Sequence, residues 1–291
     1  NRLEINNVEF NPYVEFESVV SLFNIKAREK GIVFLSFIDP RLPSGIISDP
    51  LRIKQILSNL LSNAIKFTPE KGYVRVDISL IHKMENRCLL YFMVSDTGIG
   101  IPPRKQSYIF EAFAQADSSI TRRFGGTGLG LSISSNLARL LDSEIIIESE
   151  AGVGSRFFFS LEPEVSDNIP YTEKFPCDKN AAMYLYSDEA DGEMILNNVQ
   201  SYLSGFGCNY TTGNNINDFN NEYDLVIALY SENLVNYFKN NPGANFNNPV
   251  FLISPERDDV ETGEIIKYFK GMLLHPLSPE DIVKIIPEEP G

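Results

Sequence analysis

Apolar residues recur at three- and four-residue spacing between positions 50 and 67, which predicts an amphipathic helix with one wide buried face. Asp49 stands at the N-cap position and Pro50 at the first helical position, a normal helix start. The predicted buried positions are Ile53, Ile56, Leu57, Leu60, Leu61, Ala64 and Ile65.

A polar stripe runs along the same helix, beside its apolar face. Gln55, Asn59 and Asn63 follow one another at a spacing of four residues, and Lys66 lies one turn beyond Asn63. A solvated helix face is one interpretation of this stripe. A ligand site is the other, because asparagine forms helices less readily than Glu, Lys or Gln, and its neutral amide oxygen suits Mg²⁺.

A second polar feature follows a strand-like run from Leu89 to Val94. Asp96 stands at the end of this run and opens a glycine turn, Asp96–Pro102, with the sequence DTGIGIP. A buried carboxylate needs a hydrogen-bonding partner. The partner is either the backbone N–H groups of the turn or a ligand.

Glycines are concentrated between Gly125 and Gly130, directly before a run with helical periodicity. Free N–H groups and the helix dipole make such a helix start an anion site, although a flexible linker is the alternative. The segment lacks the GK[ST] of a P-loop and the glycine spacing of a dinucleotide fingerprint. The apolar positions predicted for this helix are Leu131, Ile133, Leu137, Leu140 and Leu141.

In this order and spacing, the segments resemble the nucleotide-binding domain of sensor histidine kinases, whose superfamily also includes DNA gyrase and a heat-shock chaperone. The resemblance covers about residues 1–163. The matching segments are the N box NLLSNAIKFT from Asn59, the first glycine box DTGIGIP from Asp96, the F box YIFEAFAQAD from Tyr108, the second glycine box GGTGLGLSIS from Gly125, and the closing strand GVGSRFFFSL from Gly152.

The resemblance implies an ATP site in which Asn63 coordinates Mg²⁺, with Asn59 beside it and Lys66 near the phosphates. It also implies that Asp96 accepts a hydrogen bond from the adenine amino group and that Phe67 lies against the base or its edge. Gly126, Gly128 and Gly130 would lie under the phosphates. The other residues of the implied site are Gly98, Gly100, Ile101, Thr127, Leu129 and Ser155, the last a serine where the family usually has threonine.

The segment from Ser118 to Gly126 is polar, basic and glycine-ended. We interpret it as a mobile lid over ATP, with an exposed loop carrying incidental arginines as the alternative. Phosphoryl transfer requires mainly positioning and positive charge near the phosphates, which Lys66, Arg122 and Arg123 can supply.

The ATPase branches of this superfamily carry a Glu at the position of Asn59, where it acts as general base for water. An amide cannot take a proton, so Asn59 favours a kinase over a hydrolase. The resemblance then implies that the γ-phosphate is transferred to a histidine on a separate dimerisation domain. The chain's two histidines, His82 and His275, lie outside any HExRTP-like helix, so we expect the acceptor domain upstream of this fragment. The resemblance also implies a homodimeric full-length protein and a downstream response regulator or phosphotransfer protein.

Beyond a boundary rich in proline, the chain alternates between strand-like and helix-like segments, which predicts a doubly wound parallel α/β domain. The domain's rhythm resembles a response-regulator receiver. The predicted elements are strands Ala182–Tyr186, Cys208–Thr212, Asp224–Leu229, Pro249–Ser254 and Gly271–Leu274, and helices Glu193–Leu203, Glu232–Lys239, Glu261–Phe269 and one from Pro279.

This second resemblance departs from its family at the functional positions. Leu229 stands where a receiver has the phosphoacceptor Asp, and His275 replaces the Lys that pairs with the phosphate. Ser187 and Asp188 stand where a receiver has its acidic pair, while Ser254 keeps the hydroxyl after the fourth strand. Without the carboxylate nucleophile and its charge partners, we expect a pseudo-receiver with a regulatory or contact role. The alternative is a generic flavodoxin-like domain.

The composition of the chain argues against several classes of partner and site. The net charge of −14 and pI near 4.7 argue against nucleic acid, and three scattered cysteines indicate neither zinc nor a disulfide framework. No apolar run is long enough for a membrane span, so we expect a cytoplasmic fragment, with an anchor of the full-length protein in the inner membrane left open.

We therefore predict three regions: a kinase-type ATP-binding domain over 1–163, a linker over 164–180 and a pseudo-receiver over 181–287. The first should be a two-layer α/β sandwich with a mixed sheet, and the second a doubly wound parallel α/β domain. The predicted function is the ATP-binding catalytic part of a hybrid sensor histidine kinase in a two-component phosphorelay, with ATP and Mg²⁺ as cofactors. A gyrase-like ATPase switch and a nucleotide-sensing scaffold that transfers nothing are the alternatives.

Overall fold

The computed structural model describes residues 4–111, 129–166, 182–188, 193–254, 265–274 and 277–286. The chain divides into two compact units, Asn1–Thr172 and Glu173–Gly291. Each unit is built around its own sheet, and each is described by itself below.

The first unit contains eight strands and four helices among its described residues. They are, in chain order, β1 (Val8–Phe10), α1 (Pro12–Glu29), β2 (Val33–Ile38), β3 (Gly45–Ser48), α2 (Pro50–Phe67), β4 (Tyr73–Lys83), β5 (Cys88–Asp96), α3 (Pro103–Gln106), α4 (Gly130–Leu140), β6 (Ile146–Glu150), β7 (Gly154–Leu161) and β8 (Glu164–Ser166).

The main sheet of this unit has the strand order β2-β4-β5-β7-β6. The β2–β4 pair is parallel and the remaining pairs are antiparallel, so the sheet is mixed. Alternate residues of β5, among them Leu90, Phe92 and Val94, enter one core cluster with apolar residues of α1, α2 and α4. A small antiparallel sheet, β1-β3-β8, completes the unit. The predicted two-layer α/β sandwich with a mixed sheet is confirmed.

Helix α2 forms as its sequence predicts. The Asp49 side chain caps it by accepting the Arg52 N–H at 3.1 Å, and Pro50 is its first residue. All seven predicted apolar positions are buried. The polar stripe therefore occupies the flank of a helix whose position is fixed by its apolar face.

Helix α4 buries only part of the apolar face that its sequence predicts. Ile133 is 40% exposed and Leu140 is 41% exposed, whereas Ser132, Ser134 and Ser135 are buried together with Leu137 and Ala138. Of the five apolar positions of the predicted amphipathic helix, Leu137 is buried and Leu131 and Leu141 pack against the core, whereas Ile133 and Leu140 do not. Helix α4 packs against α2, and this contact accepts small polar side chains.

The second unit contains a five-stranded sheet of order β10-β9-β11-β12-β13, and every pair in it is parallel. This order is that of a flavodoxin-like doubly wound fold, so the predicted fold class of this unit is confirmed. Its elements are β9 (Ala182–Tyr186), α5 (Glu193–Gly205), β10 (Asn209–Gly213), β11 (Leu225–Leu229), α6 (Glu232–Asn240), β12 (Val250–Ser254), β13 (Gly271–Leu274) and α7 (Pro279–Ile285), with short 3₁₀ turns at Ile216–Asn220 and Ile266–Tyr268.

The predicted helix from Glu261 to Phe269 lies partly outside the described residues, and its described part contains the turn Ile266–Tyr268. Cys88 and Cys208 are buried, and neither forms a disulfide. Within the described ranges, no helix combines the length and the apolar character that a bilayer crossing requires.

Candidate functional site

Three segments of the first unit that are distant in sequence meet at the polar stripe of α2. They are the end of α2 itself, the turn after β5 and the start of α4. The contacts below show how each segment is held, and which of the predicted site residues they bring together.

Asn59 contacts α4 through both ends of its amide. Its Nδ2 donates to the Ser134 hydroxyl at 2.8 Å. Its Oδ1 lies so close to Gly130 that a Cβ at that position would be 2.3 Å from the oxygen. A Cβ at this position would force the Asn59 amide to move, so the first residue of α4 is packed directly against that amide.

Asn63 differs from Asn59 although it lies one turn further along the same face. Its side chain is half-buried, and among the described residues it has no hydrogen-bonding partner. Its amide oxygen is therefore available to a ligand. A neutral, hard oxygen on a fixed helix fits Mg²⁺, which takes one or two protein oxygens and completes its shell with water and phosphate.

Helix α2 ends at Phe67, beside the turn that follows β5. The carbonyl oxygen of Phe67 lies only 2.6 Å from where a Cβ of Gly98 would be. The Lys66 ammonium lies over the Phe67 ring, 4.9 Å from its centroid. The end of α2 thus brings a cation and an aromatic ring next to the glycine turn.

Asp96 is the last residue of β5, and backbone N–H groups bind its carboxylate. The Gly98 N–H donates to Oδ1 at 2.8 Å, and the Ser155 N–H also donates to the carboxylate. Burial raises the pKa of Asp96 to about 6, and these two hydrogen bonds oppose the shift only in part. Asp96 is therefore a partly desolvated acceptor at the base of the turn.

Ser149 organises the opposite side of the turn. Its hydroxyl accepts the Ile101 N–H at 2.7 Å and donates to the Gly154 carbonyl at 2.8 Å. It also lies 3.0 Å from the hydroxyl of Ser155, the residue that stands in the usual threonine position. Gly100, in the left-handed region with φ 63°, completes the turn between these contacts.

Five of the predicted site residues lie outside the described residues, as does the predicted lid from Ser118 to Gly126. Leu129 and Gly130, which follow this segment, are described, and the Leu129 carbonyl accepts hydrogen bonds from the Ile133 N–H and the Ser132 hydroxyl. The five residues outside the described ranges are Arg122, Arg123, Gly126, Thr127 and Gly128.

Sequence reasoning missed Ser134 and Ser149, which hold Asn59 and Ser155. One signal was present for Ser134: the run Ser132-Ile133-Ser134-Ser135 puts three hydroxyls into a helix that was interpreted from its leucines. Ser149 carries no signal in the sequence, because its role depends on the pairing of β6 with β7.

The corresponding sheet edge of the second unit is occupied by its own side chains. Leu229 ends β11 and is buried, and Ser187 and Asp188 follow β9. The Tyr186 hydroxyl donates to Asp188 Oδ2 at 2.9 Å and is also hydrogen-bonded to Ser231. Ser254 ends β12 and is buried. His275 lies outside the described residues.

Comparison with known proteins finds similarity for the first unit. Residues 48–165 match the family model described as histidine kinase-, DNA gyrase B-, and HSP90-like ATPase. The hybrid signal transduction histidine kinase F of Dictyostelium discoideum is 39% identical over 164 residues, which are 56% of this chain and 15% of that protein. The signal transduction histidine-protein kinase BarA of Escherichia coli K12 is 38% identical over 168 residues, 58% of this chain and 18% of that protein.

A solved structure resembles nearly the whole chain. The crystal structure of full-length ShkA in complex with AMPPNP has a TM-score of 0.71 and 22% identity, and the match covers 98% of this chain and 58% of that one. At this identity the likeness concerns the fold. The chain spans less than a fifth of the two curated relatives named above. Residues 48–165 are therefore similar to domains of the histidine kinase, gyrase B and HSP90 ATPase type.

Proposed function

We propose that the first unit binds ATP with Mg²⁺ and is the catalytic part of a hybrid sensor histidine kinase, which donates the γ-phosphate to a histidine on a separate dimerisation domain. The observation that carries this proposal is the convergence of Asn63, Asp96 and the start of α4 within one domain that matches the histidine kinase-type ATPase family. Each of the three offers a different part of ATP a suitable partner.

Asp96 would recognise the adenine. Its half-buried carboxylate accepts, and the exocyclic amino group of adenine donates, so the two are complementary. Phe67 at the end of α2 would lie against the base or its edge. Gly98, Gly100, Ile101 and Ser155 would shape this part of the site, because the contacts of Ser149 hold the turn and the Ser155 hydroxyl together.

The phosphates would lie at the start of α4 and at Asn63. Gly130 and Leu129 begin a helix whose N-terminal N–H groups favour anions, and Gly126, Thr127 and Gly128 would extend that cradle. Asn63 would hold Mg²⁺, which when bound would supply positive charge at the phosphates. Lys66, Arg122 and Arg123 would add further positive charge, the two arginines from a lid over ATP.

Asn59 favours transfer over hydrolysis. An amide takes no proton at neutral pH, and this amide is already hydrogen-bonded to Ser134, so it does not activate water. The γ-phosphate would therefore be retained until an imidazole of the dimerisation domain attacks it. His82 is exposed near the end of β4, away from any helix, and does not suit that role.

The second unit we propose to be a pseudo-receiver with a regulatory or contact role. Buried, apolar Leu229 at the end of β11 cannot accept a phosphoryl group, and one oxygen of the Asp188 carboxylate, Oδ2, accepts the Tyr186 hydroxyl. The partners of the whole protein would be its own dimerisation domain, a second copy, and a response regulator or phosphotransfer protein on the cytoplasmic side. The net charge of this chain, −14, is strongly acidic and makes nucleic acid an unsuitable partner.

The first test is calorimetric titration of the chain with a non-hydrolysable ATP analogue and Mg²⁺. We expect micromolar to submillimolar binding, which Asn63→Ala and Asp96→Ala each weaken more than about tenfold, roughly 1.4 kcal/mol. Asn236→Ala, on an exposed position of α6, is the matched control and should bind like the wild type.

The second test adds a histidine-containing dimerisation domain as a separate polypeptide and measures phosphohistidine formed from ATP. Acid-labile phosphate on that domain, absent with Asn63→Ala, supports the kinase. A folded wild-type chain that binds no analogue contradicts the ATP site, and steady ATP hydrolysis without transfer contradicts the kinase role.

A further inference from the structure

Helix α4 buries the hydroxyl group of Ser134, although larger apolar side chains of the same helix remain exposed. Ser134 is 1% exposed, while Ile133 beside it is 40% exposed. A buried hydroxyl needs a hydrogen-bonding partner, and in helices serine commonly finds one in the carbonyl of the preceding turn. Ser132 does so with the Leu129 carbonyl at 2.9 Å. Ser134 instead receives its hydrogen bond from Asn59, which is 75 positions earlier in the chain.

The contact fixes Asn59 at two points. Its Nδ2 donates to Ser134, and its Oδ1 lies against Gly130 at the first turn of α4. The hydrogen bond and the close packing against Gly130 together restrict the rotamers of this side chain. The same contact sets the distance between the start of α4 and the helix that carries Asn63, one turn beyond Asn59.

We infer that Ser134 is a positioning residue of the nucleotide site: through Asn59, it holds the phosphate-binding start of α4 in register with the Mg²⁺ ligand Asn63. Ser134 does not touch the nucleotide, because it is buried behind Asn59. This inference rests on the proposed ATP site. It also gives Asn59 a requirement that a non-basic side chain alone does not meet, since the contact uses the amide as a hydrogen-bond donor to Ser134.

A positioning role and a packing role for Ser134 predict different measurements. If the hydroxyl only fills space, its removal changes the stability of the domain and leaves the gain in affinity from Mg²⁺ unchanged. If it sets the register, its removal reduces that gain, because phosphates at α4 and Mg²⁺ at Asn63 no longer meet in one geometry. The affinity with Mg²⁺ divided by the affinity without it is therefore the deciding quantity.

The experiment measures this ratio by calorimetry with a non-hydrolysable ATP analogue, on the whole chain, at a temperature where thermal unfolding curves show every variant folded. The variants are Ser134→Ala, Asn59→Ala and the double variant. Ser135→Ala is the control, because Ser135 is the next residue of the same helix and is 6% exposed, and its hydroxyl has no bond to Asn59.

We expect Ser134→Ala to lower the ratio about fivefold to tenfold, and Asn59→Ala to do the same, while the double variant is no worse than either single one. Ser135→Ala should stay within about twofold of the wild type. A Ser134→Ala chain with the wild-type ratio overturns the inference, and so do effects that multiply in the double variant. In those cases wild-type binding still stands, whereas a wild-type chain that binds no analogue overturns the proposed function together with this inference.

Discussion

Asp96 and Asp188 occupy comparable places in the two units, each at the end of a strand in a five-stranded sheet, but they have different partners. Asp96 receives backbone N–H groups from its own turn and from β7, and burial raises its pKa to about 6. Asp188 receives the hydroxyl of Tyr186, a side chain that is 1% exposed. Burial, together with the Asp188 carboxylate, raises the pKa of Tyr186 well above its ordinary value.

The difference shows that an acidic residue at a strand end is not by itself a ligand site. Backbone N–H groups orient the Asp96 carboxylate and leave lone pairs for a ligand, because a carboxylate accepts about four hydrogen bonds. At Asp188, the tyrosine hydroxyl of the same unit donates to Oδ2, and Oδ1 is buried without a hydrogen-bonding partner among the described residues. The second unit therefore holds its acidic residue through a side chain, whereas the turn after β5 holds Asp96 through backbone N–H groups.

The largest expected effect comes from changing the two aspartates in the same way. In Asp96→Asn, the amide oxygen keeps the Gly98 N–H, and the amide nitrogen then faces the donating amino group of adenine. We expect ATP-analogue affinity to fall at least about tenfold, roughly 1.4 kcal/mol, while removal of a buried charge raises the free energy of unfolding by about 1 kcal/mol. Asp188→Asn should leave the affinity unchanged. Calorimetry and urea denaturation measure both quantities, and equal affinity losses in the two variants would contradict the distinction drawn between the units.

The pH dependence of binding tests the same carboxylate without a substitution. The ionised Asp96 carboxylate is the stronger acceptor for the adenine amino group, and its pKa in the folded chain is about 6. We expect analogue affinity to fall about tenfold between pH 7 and pH 5. The free energy of unfolding should change with pH in the opposite direction. Because the pKa of Asp96 is raised in the folded chain, its contribution to stability is fully present below about pH 4 and is lost as the pH rises through about 6. Asp96→Asn is the control, since titration of the nucleotide itself persists in it.

Removing the tyrosine hydroxyl tests the second unit. In Tyr186→Phe, the Asp188 carboxylate loses its donor in a largely buried setting, so we expect the free energy of unfolding of this unit to fall by about 1–2 kcal/mol. The control is Tyr237→Phe in α6, which should change it by less than about 0.5 kcal/mol. A double-mutant cycle with Asp188→Ala isolates the pair. An unchanged stability in Tyr186→Phe would mean that this network does not support the fold of the second unit.

The smallest expected effect concerns the end of α2 in the first unit. The Lys30 ammonium donates to the carbonyl oxygens of Ile65, Lys66 and Thr68 at 2.6, 2.9 and 2.8 Å. These bonds are partly solvent-exposed, and a cation at a helix C-terminus contributes modestly, so Lys30→Met should cost about 0.5–1 kcal/mol. Lys26→Met, on an exposed position of α1, is the matched control. A loss of analogue affinity larger than the loss of stability would show that this cap also orients Lys66 and Phe67.

Much of the fold could be predicted because its signals are local. The cap at Asp49, the apolar stripe of α2 and the strand-like run in β5 each arise from residues a few positions apart, and the structure forms these elements as expected. The strand Ala182–Tyr186 and the strand Gly271–Leu274 likewise have their predicted bounds. Helix and strand periodicity depends on backbone geometry that every chain shares, so it can be recognised without knowledge of distant contacts.

The candidate site could be predicted only as a set of residues, not as an arrangement. Asn59 and Asn63 have the same residue type and lie on the same helix face, yet Asn59 is committed to Ser134 while Asn63 has no hydrogen-bonding partner among the described residues. Likewise, no local pattern indicated that Tyr186 would engage Asp188. The residue types of the candidate ATP site can thus be recognised from local motifs. The choice of which polar groups face a ligand and which satisfy one another belongs to tertiary packing, because a buried donor or acceptor takes whichever partner the packing brings within hydrogen-bonding distance.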